Sequence, residues 1–167
     1  MSILNPFGLI GNLVESIYDN IVKDKVYPVE GSILYCDLLF GSAEHSGVYI
    51  GNNEIVHLDG TGIIEIVTPD EFLGRINGFN SAISIYVSCD GEIPVGGKSI
   101  AKRAKSKVGS KRYYNLVADN CHQFTSGCIT NDFENSDNFL WMLKDTSKNS
   151  INATTWRVWE TTDGEYI

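Results

Sequence analysis

Two residue types that can carry acyl-transfer chemistry recur at suggestive spacings: His45 and His57, twelve positions apart, and Cys121, directly after Asn120. Asn120 is a good N-cap for a helix from Cys121 to about Ile129, which places the thiol in the first turn. There it feels the positive end of the helix dipole and unpaired backbone N–H groups, which lower its pKa and raise its thiolate fraction. The same N–H groups, that of Cys121 included, can face the oxygen of a tetrahedral intermediate. The expected chemistry is nucleophilic catalysis: Cys121 attacks a carbonyl, one histidine takes the thiol proton and the other orients it.

The two histidines cooperate only if the hairpin between them has the right parity. A three-residue turn at Gly51-Asn52-Asn53 pairs Ile50 with Glu54 and sets Gly47 opposite His57. His45, Gly47, Tyr49, Ile55, His57 and Asp59 then share one face, whereas a two-residue turn would separate the histidines. Asn and Gly tolerate the left-handed backbone that a three-residue turn with a bulge requires. The other face carries Ser46, Val48, Ile50, Val56 and Leu58, an apolar surface suited to packing. The histidines become diagonal neighbours about 7–8 Å apart at Cα, on a face expected to oppose Cys121.

Tyr49, Asn120 and His122 are candidates for contact with the oxyanion or the substrate. Tyr49 either donates to the oxyanion, lines the substrate's approach, or packs as strand tyrosines do. His122 adjoins the nucleophile, but a helix turns successive side chains about 100° apart, so an exposed or accessory position is expected. Cys36, Cys89 and Cys128 read as buried structural thiols. No Cys-x-x-Cys or His-Glu-x-x-His spacing supports a zinc site, so neither a metal nor a cofactor is expected.

The elements that must hold these residues divide along the chain. Leu9, Ile10, Leu13, Val14, Ile17, Tyr18, Ile21 and Val22 form the stripe of an amphipathic helix from about Phe7 to Lys23, expected to dock on the domain. From Ser32 to Ser88 come short β-rich runs: Ser32–Leu39, His45–Ile50, Glu54–Leu58, Ile63–Val67 and Ala82–Ser88. Thr68, Pro69 and Glu71 mark the start of a short helix reaching Arg75. Further helices are expected over Ser99–Val108 and about Asp137–Lys144, with an extended stretch at Tyr113–Val117 and an apolar run at Trp156–Trp159. The fold class is α+β, a small antiparallel sheet packed with helices.

With 167 residues and 43% hydrophobic content, one globular domain is expected. It divides into an N-terminal helix and lead-in (1–30), a core (31–130) and a C-terminal helix and tail (131–167). The net charge of −8 and pI near 4.8 argue against nucleic acid or a bulk anionic membrane as the main partner. Seven of the thirteen basic residues nevertheless cluster from Lys98 to Arg112. They form either a solvated helix face or a hold for substrate phosphate or carboxylate. No apolar run approaches the length of a membrane span, and Met1–Leu13 lacks the basic residues and cleavage pattern of a secretory signal. A cytoplasmic protein with reduced thiols is expected, making at most peripheral membrane contact.

The run His45-Ser46-Gly47-Val48-Tyr49-Ile50-Gly51-Asn52-Asn53-Glu54-Ile55-Val56-His57, followed by Asn120-Cys121, closely resembles the lecithin:retinol acyltransferase-like family. The resemblance covers about Gly31 to Cys128. It implies a circularly permuted papain-like (NlpC-type) fold, with His45 as base, His57 as its orienting partner and Cys121 as nucleophile. Two departures stand out: His122-Gln123-Phe124 replaces the usual Glu-His-Phe after the cysteine, and Gly31-Ser32 replaces the usual Gly-Asp. The implied activity is thiol-dependent acyl hydrolysis or transfer on lipid or other ester acyl groups, through a thioester. A cysteine peptidase or amidase is the alternative enzyme, and a non-catalytic binding or regulatory module on the same fold is the alternative of another class.

Overall fold

The computed structural model describes residues 25–37, 44–74, 84–113 and 120–160. The expected helix at Phe7–Lys23, positions 114–117 of the extended stretch and the tail from Thr161 lie outside the described residues. Eight strands are described: β1 (Lys25–Val26), β2 (Ile33–Asp37), β3 (Glu44–Gly51), β4 (Glu54–Leu58), β5 (Ile64–Val67), β6 (Ile85–Asp90), β7 (Ile93–Pro94) and β8 (Thr155–Trp159). Four helices accompany them: α1 (Pro69–Gly74), α2 (Lys98–Lys107), α3 (Cys121–Thr130) and α4 (Leu140–Ile151). Together they make an α+β fold.

The strands form one open sheet in the order β1-β8-β6-β2-β3-β4-β5, with β7 added against β6. The expectation of a small antiparallel sheet is corrected here. The apolar run at Trp156–Trp159 is itself a strand, antiparallel to β6 on one side and parallel to β1 on the other, so the sheet is larger and mixed.

Period-two alternation in β2, β3 and β4 splits their apolar residues between two cores. On one face Ile33, Tyr35, Val48, Val56 and Leu58 meet Ile100 and Ala104 of α2, Phe124 and Cys128 of α3, and Leu140 and Leu143 of α4. On the other, Leu34, Cys36, Ile55, Val67, Ile85, Val87 and Trp159 close around Phe72 of α1. Phe72 and Phe124 are both fully buried, each worth about 2–3 kcal/mol of apolar transfer.

Local signals explain most helix ends. At α1, Thr68 Oγ1 accepts from Glu71 N at 3.3 Å and Glu71 Oε2 accepts from Thr68 N at 2.9 Å, a reciprocal capping box. The basic helix α2 buries its Ile100, Ala101 and Ala104 stripe. Arg103 reaches from it to the end of α3, donating to Cys128 O (2.6 Å) and Ile129 O (2.8 Å) and so satisfying two terminal carbonyls. The last helix begins later and runs further than the expected Asp137–Lys144. Asp137 is spent on tertiary bonds, accepting at 2.5 Å from both Ser126 Oγ and Thr146 Oγ1, and α4 continues until Asn152 turns left-handed (φ 57°).

Candidate active site

The hairpin that carries the histidines reaches its register by an unexpected route. Asn52 and Asn53 alone form the turn, with φ of 54° and 56°, the left-handed pair that a type I′ turn requires. Gly51 pairs with Glu54, and the register then shifts between Tyr49 and Gly51, so that Ile50 bulges. Beyond the bulge Tyr49 faces Ile55 and Gly47 faces His57. A two-residue turn was expected to separate the histidines, but the extra residue in the bulge restores their parity.

The two imidazoles meet on that shared face. His45 Nε2 lies 2.5 Å from His57 Nδ1, with the rings edge to face and their centroids 4.8 Å apart. Phe72 packs against both, at 4.9 and 5.7 Å between centroids. Gly47 is what allows the fit: a Cβ there would lie 2.9 Å from Val56 O and 3.2 Å from Phe72 Cε2. Both histidines are buried, His57 almost completely.

Cys121 approaches from elsewhere. The body of α3 packs across the sheet from the histidines, where Phe124 joins the Val48 core and Thr125 Oγ1 stands 3.1 Å from Ser46 Oγ. Its first residue reaches the end of β3. The β3–β4 ladder stops at Gly47 and His57, while β3 runs on to Glu44 beside β2. Tyr49 exchanges hydrogen bonds with Gly31 and Ser32 on the β2 side. Alternation therefore turns the backbone groups of Ser46 and Glu44 toward β4, past the end of that ladder. Cys121 Sγ lies there, 3.9 Å from Glu44 O and hydrogen-bonded by Ser46. The expectation that the whole histidine face opposes Cys121 is thus corrected: the thiol meets β3 at its open edge, through the backbone on either side of His45.

Residues 28–134 match the family described as Lecithin retinol acyltransferase. The chain belongs to this family. No curated protein matches it. Members of the lecithin retinol acyltransferase family are acyltransferases, and an activity of acyltransferase or hydrolase type goes with that membership.

In the resting site of this family member the Cys121 thiol and the His45 imidazole are both held neutral. Burial pushes the Cys121 thiol above its ordinary value, partly offset by the Ser46 backbone and hydroxyl and by N–H groups of the helix start. The expected lowering by the helix dipole is therefore outweighed by desolvation. Burial also holds His45 well below the usual histidine value, reinforced by His57 and His122. A neutral imidazole is the form that accepts a proton.

The remaining candidates take varied places. Asn120 caps α3, its Oδ1 accepting from His122 N (2.9 Å) and Gln123 N (3.2 Å), while its Nδ2 donates to Asn138 O (2.7 Å). Both ends of this amide hold structure. Tyr49 lies toward the turn, its ring edge-on to Trp159 at 5.2 Å and its hydroxyl 3.4 Å from Asn53 N, which fits the packing alternative. His122 is buried, which excludes the exposed one of the two positions expected for it, exposed or accessory. Its Nδ1 lies 2.9 Å from Ser46 Oγ, because α3 presses this first-turn residue against β3, and burial lowers it to about 4. Gln123 Oε1 accepts from Arg112 Nη2 at 3.2 Å, and Arg112 Nη2 also donates to Phe133 O at 2.8 Å, so part of the basic cluster is structural.

One residue the sequence reading passed over stands beside the pair. Glu65 on β5 is the cross-strand partner of His57, with Oε1 3.4 Å from Nε2. Finding it requires the register of a second hairpin, β4–β5. Among the described residues, no helix is long and apolar enough to cross a membrane.

Proposed function

We propose that this chain is a cysteine-dependent acyl hydrolase or acyltransferase acting on a lipid or other ester. Cys121 gives its proton to His45 Nδ1, the ring nitrogen left over when Nε2 engages His57. The sulfur bonds to the substrate's carbonyl carbon, the ester C–O bond breaks, and the departing alkoxide takes the proton back from His45. Water or an amine then attacks the thioester with His45 again as base, regenerating the thiol. The N–H of Cys121 serves the oxyanion, since Asn120 takes those of His122 and Gln123.

The observation that carries this reading is the His45–His57 pair at 2.5 Å, held by the same strand end that receives Cys121. Two histidines that precede the nucleophile in the chain also support a circularly permuted papain-like fold, and we read 1–167 as a single catalytic domain. The buried, neutral thiol favours a second reading, a binding module without turnover.

Intact-mass spectrometry after incubation with phospholipids, activated esters and peptide amides separates these readings. An acyl adduct that disappears in both Cys121→Ala and His45→Ala supports the thioester route, and the donor that yields it distinguishes an esterase from a peptidase. No adduct, together with iodoacetamide labelling of Cys121 no faster than Cys36 or Cys89, would sink it in favour of the binding module.

A further inference from the structure

The histidine pair is a directional chain, and its direction depends on which nitrogens carry protons. Between His45 Nε2 and His57 Nδ1 there is room for one hydrogen. If that hydrogen belongs to His57, His45 Nε2 accepts it, and the proton of His45 sits on Nδ1, where it blocks removal of a proton from Cys121. If it belongs to His45, then Nδ1 of His45 is a free lone pair and His57 must carry its own proton on Nε2. Whatever group faces His57 Nε2 therefore selects the working tautomer of His45, two residues away in space.

That group is Glu65. The β4–β5 connection fixes its place: Asp59 Oδ1 accepts from Thr61 N at 2.9 Å and Ile63 N at 2.8 Å, and Asp59 N donates to Ile63 O. This turn sets Leu58 against Ile64 and His57 against Glu65. A carboxylate is acceptor-only, so Oε1 at 3.4 Å favours N–H, not a lone pair, on His57 Nε2. The distance is long for a hydrogen bond, as such bonds commonly are before substrate binds. The Glu65 side chain keeps 27% of its surface exposed.

We propose that Glu65 is a positioning residue that holds His57 as the Nε2–H tautomer, so that His45 presents an unprotonated Nδ1 to Cys121. The inference rests on the catalytic reading given above. When His45 takes the thiol proton, the Glu65 charge also stabilises the resulting imidazolium through His57. Among the described residues, the other titratable groups around the pair are Cys121 and His122 on α3 and Asp59 in the β4–β5 turn. From α1 only Phe72 faces the rings, since Asp70 and Glu71 are exposed.

The test compares wild type with Glu65→Gln and Glu65→Asp on the full chain. Nitrogen-15 NMR of the histidine rings reads the tautomer independently of turnover, and iodoacetamide labelling of Cys121 reads the thiolate from pH 6 to 10. Wild type is expected to show His57 protonated at Nε2. Glu65→Gln should lose that preference and alkylate about tenfold more slowly at pH 7, the effect of one pKa unit on an imidazolium that has lost its counter-charge. The two curves should converge at high pH, where hydroxide makes the thiolate directly, and Glu65→Asp should recover part of the loss. An unchanged His57 tautomer in Glu65→Gln, or a loss that persists at high pH and is shared by Glu65→Asp, overturns the proposal. If wild-type Cys121 labels no faster than Cys36 or Cys89, the catalytic reading fails on its own, while the NMR arm still decides whether Glu65 sets the tautomer.

Discussion

Acidification should destabilise this protein through His122. In the fold, burial lowers this ring from the ordinary 6.5 to about 4. Above pH 6.5 the ring is neutral in both folded and unfolded chains, and pH has no leverage through it. Below that value the unfolded chain binds a proton that the fold refuses, so stability falls as pH drops, and the loss levels off only near pH 4, where the folded ring protonates as well. Integrating the difference from pH 7.5 to 4.5 gives about 2.5 kcal/mol. For a chain of this size that corresponds to a fall of about 5–10 °C in melting temperature. The assay is thermal unfolding by circular dichroism across that range, for wild type and for His122→Asn, whose amide can keep the bond to Ser46. Carboxylates titrate in both proteins, so the difference between their pH slopes reports His122 together with its coupling to His45. Parallel loss of melting temperature in the two proteins would refute the claim that this ring is held neutral by burial.

Four further outcomes follow from particular contacts. Gly47→Ala, whose Cβ would press on Val56 O and Phe72, should cost about 1–3 kcal/mol in urea unfolding and spread the His45–His57 pair, slowing Cys121 labelling; wild-type stability would show that the site relaxes freely. Arg103→Met should cost about 1.5–3 kcal/mol by freeing the last carbonyls of α3, and Arg103→Lys should recover less than half, since one ammonium cannot reproduce the two-nitrogen contact; full recovery would contradict this. Asn120→Ala should cost about 1 kcal/mol through the lost helix cap, with chemical denaturation as the check. In the resting protein, labelling of Cys121 should climb with pH beyond 9, while Cys128, pushed up to about 12 by burial, stays unlabelled until the chain unfolds; peptide mapping distinguishes the two.

The sequence made some features legible because their causes are local. The Asn120 cap, the Thr68–Glu71 box and the Ile100/Ala104 stripe each depend on residues within a few positions of one another, and each appears in the structure. The Gly47–His57 register was also readable, although the turn that produces it was not. A bulge costs one residue of count and leaves no composition signal, so the same parity is reachable by two routes. What stayed hidden depends on tertiary context. The rise of the Cys121 thiol reflects burial under β3, which the helix dipole alone does not predict. The inward turn of His122 reflects the pressing of α3 onto Ser46, and the short start of α4 reflects the capture of Asp137 by Ser126 and Thr146. Glu65 needed a second hairpin register, and the connection from Asp59 to Ile63 carries no two-residue turn signature from which to count.

The pairing of Lys25 with Val158 and Val26 with Trp159 bears on how the chain is made. During synthesis β1 emerges first among the described strands, yet its neighbour in the sheet, β8, is translated after every other described strand and helix. The β2–β3–β4–β5 run can pair as it appears, since each contact is to the next strand in line. The edge of β6 that β8 will cover, by contrast, waits open while the helices are made. An exposed strand edge of this kind is where a nascent chain pairs with the wrong neighbour. Translation halted between α4 and β8 would therefore release a chain holding its candidate catalytic residues but bearing an uncovered edge, a species suited to aggregation and to capture by chaperones.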